Sequence, residues 1–341
     1  MTERKYDVAA LGELLIDFTD NGVSRQGNVT FEANPGGAPC NVLSMLSKLE
    51  HKTAFIGKVG ADMFGQRLKS TLEELSIDTS NLIMDEEVNT TLAFVRTLED
   101  GDRDFSFYRN PGADMLLREE ELKEELLTNA RIFHFGTLSM THEEVRRATR
   151  KAVRIAKESK ALVSFDPNLR PPLWESLDLA REQVLYGLSQ CDILKISDNE
   201  IKWLTGETDY DAGVRCIRED YNIPLILVSM GKEGSRAYYG DTVVEAAPFL
   251  QPGTVDTTGA GDTFTGCVLH YILQYGLEKL TKEQLMEMLT FANAAASIVT
   301  TRKGALKIMP EKEEVQSMIR QRRTGRKSKL DNGGPPCPQP Q

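Results

Sequence analysis

Positive charge, histidine and paired cysteines are what this sequence has least of. Its 341 residues carry 41 Lys and Arg against 51 Asp and Glu, a formal net charge of −10. That balance argues against nucleic acid or an anionic membrane as the main partner, yet leaves room for a local phosphate pocket. No run of about 18 apolar residues exists, so no membrane span is expected. The start, "MTERKYDVAALG", lacks the apolar core of a signal peptide,. Cys40, Cys191, Cys216, Cys267 and Cys337 are scattered, with no C-x-x-C between them. Free thiols in a reducing compartment follow, and the expected location is cytoplasmic. The four histidines, His51, His134, His142 and His270, form no H-E-x-x-H, which disfavours a histidine-based zinc hydrolase,. His134, inside "IFHFG", is expected to be a satisfied core residue. There is also no G-x-x-x-x-G-K-[ST], no G-x-G-x-x-G after a strand and no G-x-S-x-G. P-loop, dinucleotide and serine-hydrolase chemistry are disfavoured accordingly.

What is present is an alternation. "VAALGELLID", "AFIGKVG", "RIFHFGT", "ALVSFDP", "DILKIS" and "LILVSM" read as strands buried on both faces,. Between them lie amphipathic helices: Val42, Met45, Leu46 and Leu49 share one face, as do Phe64, Leu68, Leu72 and Leu75, and Val145, Ala148, Ala152 and Ile155. The pattern predicts an α/β three-layer α/β/α sandwich around a mostly parallel sheet, with ligands at the carboxyl ends of the strands. Two stretches rich in β-branched and aromatic residues interrupt it, within 18–34 and 88–112. Turn signals stand at Asn21-Gly22 and Asp100-Gly101,. They read as antiparallel hairpins inserted into one domain spanning 1–320, forming a lid or dimer surface. The stretch 321–341, "QRRTGRKSKLDNGGPPCPQPQ", is poor in apolar residues and is expected to be a disordered tail,.

The chemistry concentrates in "VDTTGAGDTFTGCVLHYIL", starting at Val255. Phe264, Cys267, Val268, Tyr271, Ile272 and Tyr275 follow a helical period, so a helix begins near Asp262. Gly259, Ala260 and Gly261 leave their amides uncovered at its positive end, which attracts anions. Asp262 reads in two ways. It is a simple N-cap, worth about 1 kcal/mol, or it is a general base beside an oxyanion nest, taking a proton from a substrate hydroxyl while the amides hold a migrating phosphoryl group.

"DTTGAGDTF" (256–264) and "GGAPCNVLSMLSKLEHKTAFIGKVGADMFG" (36–65) resemble the two signatures of the ribokinase-like, or PfkB, carbohydrate kinases. The similarity runs over roughly residues 6–320. Within the family, "GELLIDF", "NPGGAPCNV", "FYRNPGADMLL" and "FDPNLRPPLW" are most similar to its fructose-phosphorylating members. The resemblance implies ATP-dependent phosphorylation of D-fructose to fructose 6-phosphate. It implies Asp262 as base, with Gly259, Ala260 and Gly261 as the anion hole. Asp17, at the end of the first strand, would bind the sugar together with Gly36, Gly37 and Asn41. Arg109 would reach down from the lid, and Arg170 would face the substrate or the phosphoryl group. Ser229, Gly231 and Gly234 match an ATP-contacting turn, and Asn293 matches a position lining the adenine pocket. Glu200, in "SDNE" where many relatives have Asn-x-x-Glu, would help hold Mg²⁺ through water, with Ser197 replacing the asparagine. A K⁺ is implied beside Asp256, Thr258, Val299, Arg302 and Gly304, and a homodimer through the lid. No nucleic-acid or membrane partner is expected.

Two other readings fit. A 2-keto-3-deoxygluconate kinase, which shares the "NLR" arginine and much of the body, or another PfkB sugar kinase is the first. A catalytically silent sugar-binding regulator would keep the fold, but it need not keep Asp262 and the unbroken Gly-Ala-Gly.

Overall fold

The structure, a computed structural model, describes residues 4–97 and 103–331. Among the described residues the strands are β1 Tyr6–Leu11, β2 Leu15–Val23, β3 Val29–Gly36, β4 Thr53–Gly60, β5 Ile77–Asp85, β6 Leu92–Thr97, β7 Arg103–Tyr108, β8 Ala130–Gly136, β9 Leu162–Asp166, β10 Ile193–Ser197, β11 Leu225–Ser229, β12 Ser235–Tyr239 and β13 Thr242–Ala246. The helices are α1 Ala38–Lys48, α2 Met63–Glu74, α3 Glu124–Thr128, α4 Glu143–Glu158, α5 Leu177–Gln190, α6 Asp198–Thr205, α7 Tyr210–Asp220, α8 Ala260–Tyr275, α9 Lys282–Val299 and α10 Lys312–Asp331.

Nine strands form one sheet in the order β13-β12-β11-β10-β9-β8-β1-β4-β5. From β11 across to β5 every pairing is parallel, and only β12 and β13 run against their neighbours. Helices on both faces leave these strands no wet side, which is why they read as apolar runs rather than alternations. Period 2 sends Val8 and Ala10 to the α1, α8 and α9 face, and Phe133, Phe135 and Phe165 to the α4, α5 and α6 face,. The chain leaves β1 for β4 and β5 on one side and returns for β8 to β11 on the other. The order therefore reverses at β1, and the carboxyl ends there form the crevice in which such sheets bind ligands.

Every residue of the three expected apolar faces sits on its helix or cap, and all are buried or packed against the core. His134 is buried, with Nδ1 3.0 Å from Ser164 Oγ, as expected of a core residue. Burial and the nearby Lys195 push its pKa down to about 3.

Several expectations need correcting. "VAALGELLID" is not one strand, because the chain bends at Gly12–Leu14. Asp17 therefore belongs to β2 rather than to the end of β1. The two insertions do form hairpins, but they join through a parallel β2–β6 pairing into one four-stranded sheet, β3-β2-β6-β7. Local turn signals cannot foretell such a nonlocal pairing. Asn21-Gly22 is not the hairpin turn. Gly22, at φ +80, supplies the left-handed residue of a register shift within β2, and the turn closes at Ser24–Asn28,. Asp100-Gly101 lies outside the described residues. The stretch read as a disordered tail begins as helix: α10 runs to Asp331, seeded by buried Val315 and by Met318 and Ile319 against the core. The Gln, Arg and Lys residues that follow are good helix formers, so a polar composition did not stop it. Residues 332–341 lie outside the described region.

Below the sheet, His270 Nδ1 stands 2.7 Å from His51 Nε2, and Gln274 lies at its other nitrogen. Burial, and then the charges of His51 and Lys312, push His270 down to about 4. A histidine depressed in the fold binds its proton more readily when unfolded. Stability is thus complete above about 6.5 and lost as pH falls toward about 4. Allowing for partial solvent screening, the loss is about 1–2 kcal/mol. The expected result is that Tm of His270→Asn falls less than wild type between pH 7 and 5. Parallel curves would refute the assignment.

Candidate active site

The N-terminus of α8 points into the crevice. Its cap is Gly259, at φ +75, so Asp262 is the third residue of the helix and not the cap. The first intrahelical bond runs from Thr263 N to Gly259 O. Ala260 N makes a long 3.3 Å bond to Thr257 O. The amides of Gly259, Gly261 and Asp262 have no acceptor among the described residues. The expected nest of free donors is thus present, with one of its amides partly engaged.

Asp262 is half-buried, and its carboxylate accepts a 2.8 Å bond from Asn41 Nδ2. Asn41 Oδ1 is buried and unpartnered. Asp262 lines a small cavity together with Glu13, His134, Thr137, Asp166 and Asn168. Burial raises its pKa, against the Asn41 bond and the charges of Lys195 and Arg170. A proton acceptor with raised affinity and an open side is suited to general-base work.

Gly36 and Gly37 close one wall. A Cβ on Gly36 would fall 2.4 Å from Asp17 Oδ2, so a side chain there would displace that carboxylate from its place against the loop. Gly37 has φ +133, and a Cβ there would strike Glu13 O at 2.3 Å. The buried carboxyl of Glu13 accepts from Ala38 N at 2.8 Å and caps α1 from outside the helix. Its burial lifts it to about 7. Arg170 is partly exposed on the loop after β9, close enough to influence Asp262.

Three residues are more occupied than the resemblance suggested. Arg109 is buried, and its guanidinium is spent on Asp114 (Nε to Oδ2, 2.8 Å), Thr141 Oγ1 (2.9 Å) and the Leu138 carbonyl (3.0 Å). It ties the stem of the small sheet to the cleft wall instead of hanging free toward a sugar. Glu200 accepts from Leu169 N at 2.8 Å and from the amide and hydroxyl of Ser197 at 2.8 and 2.7 Å. Ser197 is the N-cap of α6 and completes a capping box with Glu200,. Asn293 donates to the Ala246 carbonyl at 3.0 Å and accepts from Ser235 Oγ at 2.9 Å, so it braces α9 against β12 and β13.

Ser229 ends β11, followed by the turn of Gly231 (φ +51) and Gly234 (φ +106). A Cβ on Gly234 would meet Ala246 O at 2.2 Å, whereas the face of Gly231 is open. Asp256 accepts from Thr258 N at 2.7 Å, and its own amide reaches the Thr300 carbonyl at 3.1 Å. That contact brings the 254–258 loop beside 299–304, where Val299, Arg302 and Gly304 lie; Arg302 itself donates to the Ile308 carbonyl. Among the described residues no group of three or more His, Cys, Asp or Glu could hold a metal ion, and no helix is long and apolar enough to cross a membrane.

Sequence reasoning missed Lys195. It lies on β10 within 3.1 Å of Asp166, at the end of β9, and both side chains are over nine-tenths buried. The signal was there: a lysine inside the apolar run "DILKIS" needs a buried partner. That partner stands one strand away, at a register no local pattern specifies.

The geometry can be compared with known proteins. The family model for pfkB family carbohydrate kinases matches residues 5–312. The chain is 42% identical to probable fructokinase-2 of Arabidopsis thaliana, over 92% of this chain and 95% of that protein. Among solved structures it is similar to a fructokinase with bound ATP from Xylella fastidiosa, with TM-score 0.85 and 31% identity over 94% of this chain and 99% of that one. It is also similar to a double-mutant fructokinase from Vibrio cholerae O395 in a fructose, ADP and potassium ion bound form, with TM-score 0.83 and 26% identity over 94% and 100%. The motif spacing, the sheet order and the anion-ready helix terminus thus find their counterpart in one group of enzymes: this chain belongs to the pfkB family of carbohydrate kinases.

Proposed function

We propose that the protein transfers the terminal phosphoryl group of ATP to the 6-hydroxyl of D-fructose. The observation that carries the reading is Asp262, steered by Asn41 at the positive end of α8, with unengaged amides beside it. The named relatives and the fructose-bound neighbour support the choice of sugar. In this reading Asp262 accepts the hydroxyl proton as the oxygen attacks. The amides of Gly259 and Gly261, the weaker donor of Ala260 and the helix dipole stabilise charge on the phosphoryl oxygens. Asp17, the Gly36-Gly37 loop and Asn41, whose Oδ1 awaits a donor, hold the sugar. Arg170 faces the phosphoryl group. Arg109 acts indirectly, by fixing the wall through Leu138.

ATP would lie along the turn of Ser229, Gly231 and Gly234, where Gly231 leaves space, with Asn293 shaping the wall behind it. Mg²⁺, when bound, would neutralise phosphate charge. Glu200 has its oxygens largely engaged, so it would reach the ion through water, in keeping with the ion's preference for waters and phosphate oxygens,. The carbonyl-rich loops at Asp256, Thr258, Val299, Arg302 and Gly304 suit a K⁺. The small sheet exposes Val23, Val29, Phe31 and Tyr108 beside a stacked Phe18–Phe94 pair. An apolar surface of that kind suits a homodimer formed through the lid. The cytoplasm suits the thiol chemistry of the chain. The test is product identity by ³¹P and ¹³C NMR. A phosphate ester on C6 is expected, and an ester on C1 or only inorganic phosphate would overturn the reading.

A further inference from the structure

The geometry points to Lys195 as a catalytic residue that binds the migrating phosphoryl group directly, beside the amides of α8. The inference rests on the phosphoryl-transfer reading above and adds to it a cation that the motifs do not contain. Lys195 Nζ makes its contacts with one partner, Asp166, at 3.1 and 3.3 Å from the two carboxylate oxygens. An ammonium has three N–H groups. The one that remains has no acceptor among the described residues, although the side chain is only 8% exposed. The helix terminus lies beside it: a Cβ on Gly261 would come within 3.2 Å of Nζ. A buried, charged donor with an unused proton thus abuts the place where free amides already await an anion.

The surroundings decide whether the charge persists. Asp166 from β9, Glu200 from α6 and Asp262 from α8 face the ammonium, His134 from β8 lies near it, and Arg170 from the β9 loop shares Asp262 with it. Burial disfavours the charge, but the three carboxylates offset this and hold the Lys195 pKa above its ordinary value. An ion pair serving only the fold would need one carboxylate and no open donor. Here Asp166 works as an anchor that keeps a long, flexible side chain in one rotamer, so that its third N–H is pre-aimed. Gly261 then has a reason to be glycine: a side chain there would crowd the ammonium at the place where the anion binds.

The test uses Lys195→Met, Lys195→Arg and the double variant Lys195→Met/Asp166→Asn, which removes both charges of the pair so that Asp166 is not left as a buried carboxylate without its cation. The expected result for both Met variants is a kcat lowered by roughly 10²–10³-fold, the range seen on deleting one oxyanion donor. The fructose KM should stay within about threefold, and Lys195→Arg should recover about tenfold. Affinity for the non-hydrolysable β,γ-imido analogue of ATP should fall about tenfold in the Met variants while affinity for ADP is unchanged, a split that a structural ion pair would not produce. A kcat within threefold of wild type in the double variant, or parallel losses for the ATP analogue and ADP, would overturn the proposal. Wild type and Asp262→Asn run alongside. If wild type shows no sugar-dependent turnover, the underlying reading fails. If Asp262→Asn is inactive and the lysine variants are not, this inference fails alone.

Discussion

Asp262→Asn is expected to lower kcat by about 10³–10⁴-fold while the protein folds as before. A positioned general base contributes roughly 10²–10⁴, and this one also aligns the hydroxyl it deprotonates. The fold should survive because an asparagine amide can turn its oxygen toward Asn41 Nδ2 and keep the 2.8 Å bond. Burial raises the pKa of Asp262, so the fold disfavours its charged form. Removing the charge should therefore leave Tm at or slightly above wild type at pH 7, the exchange of stability for activity that active sites often show. The same shift gives a signature in wild type. The acid limb of kcat/KM should fall at a higher pH than an unperturbed carboxylate would give, because the base must be ionised to accept the proton. Steady-state kinetics with thermal melts check both. A variant within tenfold of wild type would mean that another group takes the proton.

Gly37→Ala is expected to be the most damaging single methyl in the sugar site. Gly37 has φ +133, where L side chains are strained by about 1–3 kcal/mol,. Its new Cβ would also stand 2.3 Å from a backbone carbonyl, that of Glu13, which cannot rotate away as a side-chain tip can. Overpacking of that kind costs about another 1–3 kcal/mol. Tm should fall by roughly 5–10 °C, at about 2 °C per kcal/mol for a chain of this size. Gly37 also caps α1, and its carbonyl accepts from Asn41 N at 2.9 Å. A shift of the loop moves Asn41 and through it Asp262, so kcat/KM for fructose should drop by about 10²-fold. Calorimetry and kinetics on the one variant test both effects, and an unchanged Tm would show that the loop can yield.

How much of this was legible in the sequence divides along local and nonlocal lines. The faces of α1, α2 and α4, the buried strands and the helix behind Gly259-Ala260-Gly261 follow from spacing, because period 3.6 and continuous apolar runs are local signals. The glycines of the site were legible as glycines, but their reasons, Asp17 for Gly36 and Glu13 for Gly37, came only with the packing. Arg109, Glu200 and Asn293 were read as ligand-facing from the resemblance to the family. Each instead makes three or more hydrogen bonds inside the protein. In each case at least one goes to a segment far away in sequence: Leu138 and Thr141 for Arg109, Leu169 for Glu200, Ser235 and Ala246 for Asn293. Lys195 was hidden in the same way, since its role depends on the register of three neighbouring strand ends.

The most direct test of the central claim is release of ADP by wild-type protein, followed by a coupled assay with Mg²⁺ and ATP over fructose, ribose, 2-keto-3-deoxygluconate and adenosine. The account predicts turnover that requires sugar, with fructose giving the highest kcat/KM by at least about tenfold, as expected where a buried polar group is matched to a substrate hydroxyl. ADP release that is independent of sugar, or no release with any of the four, would contradict it.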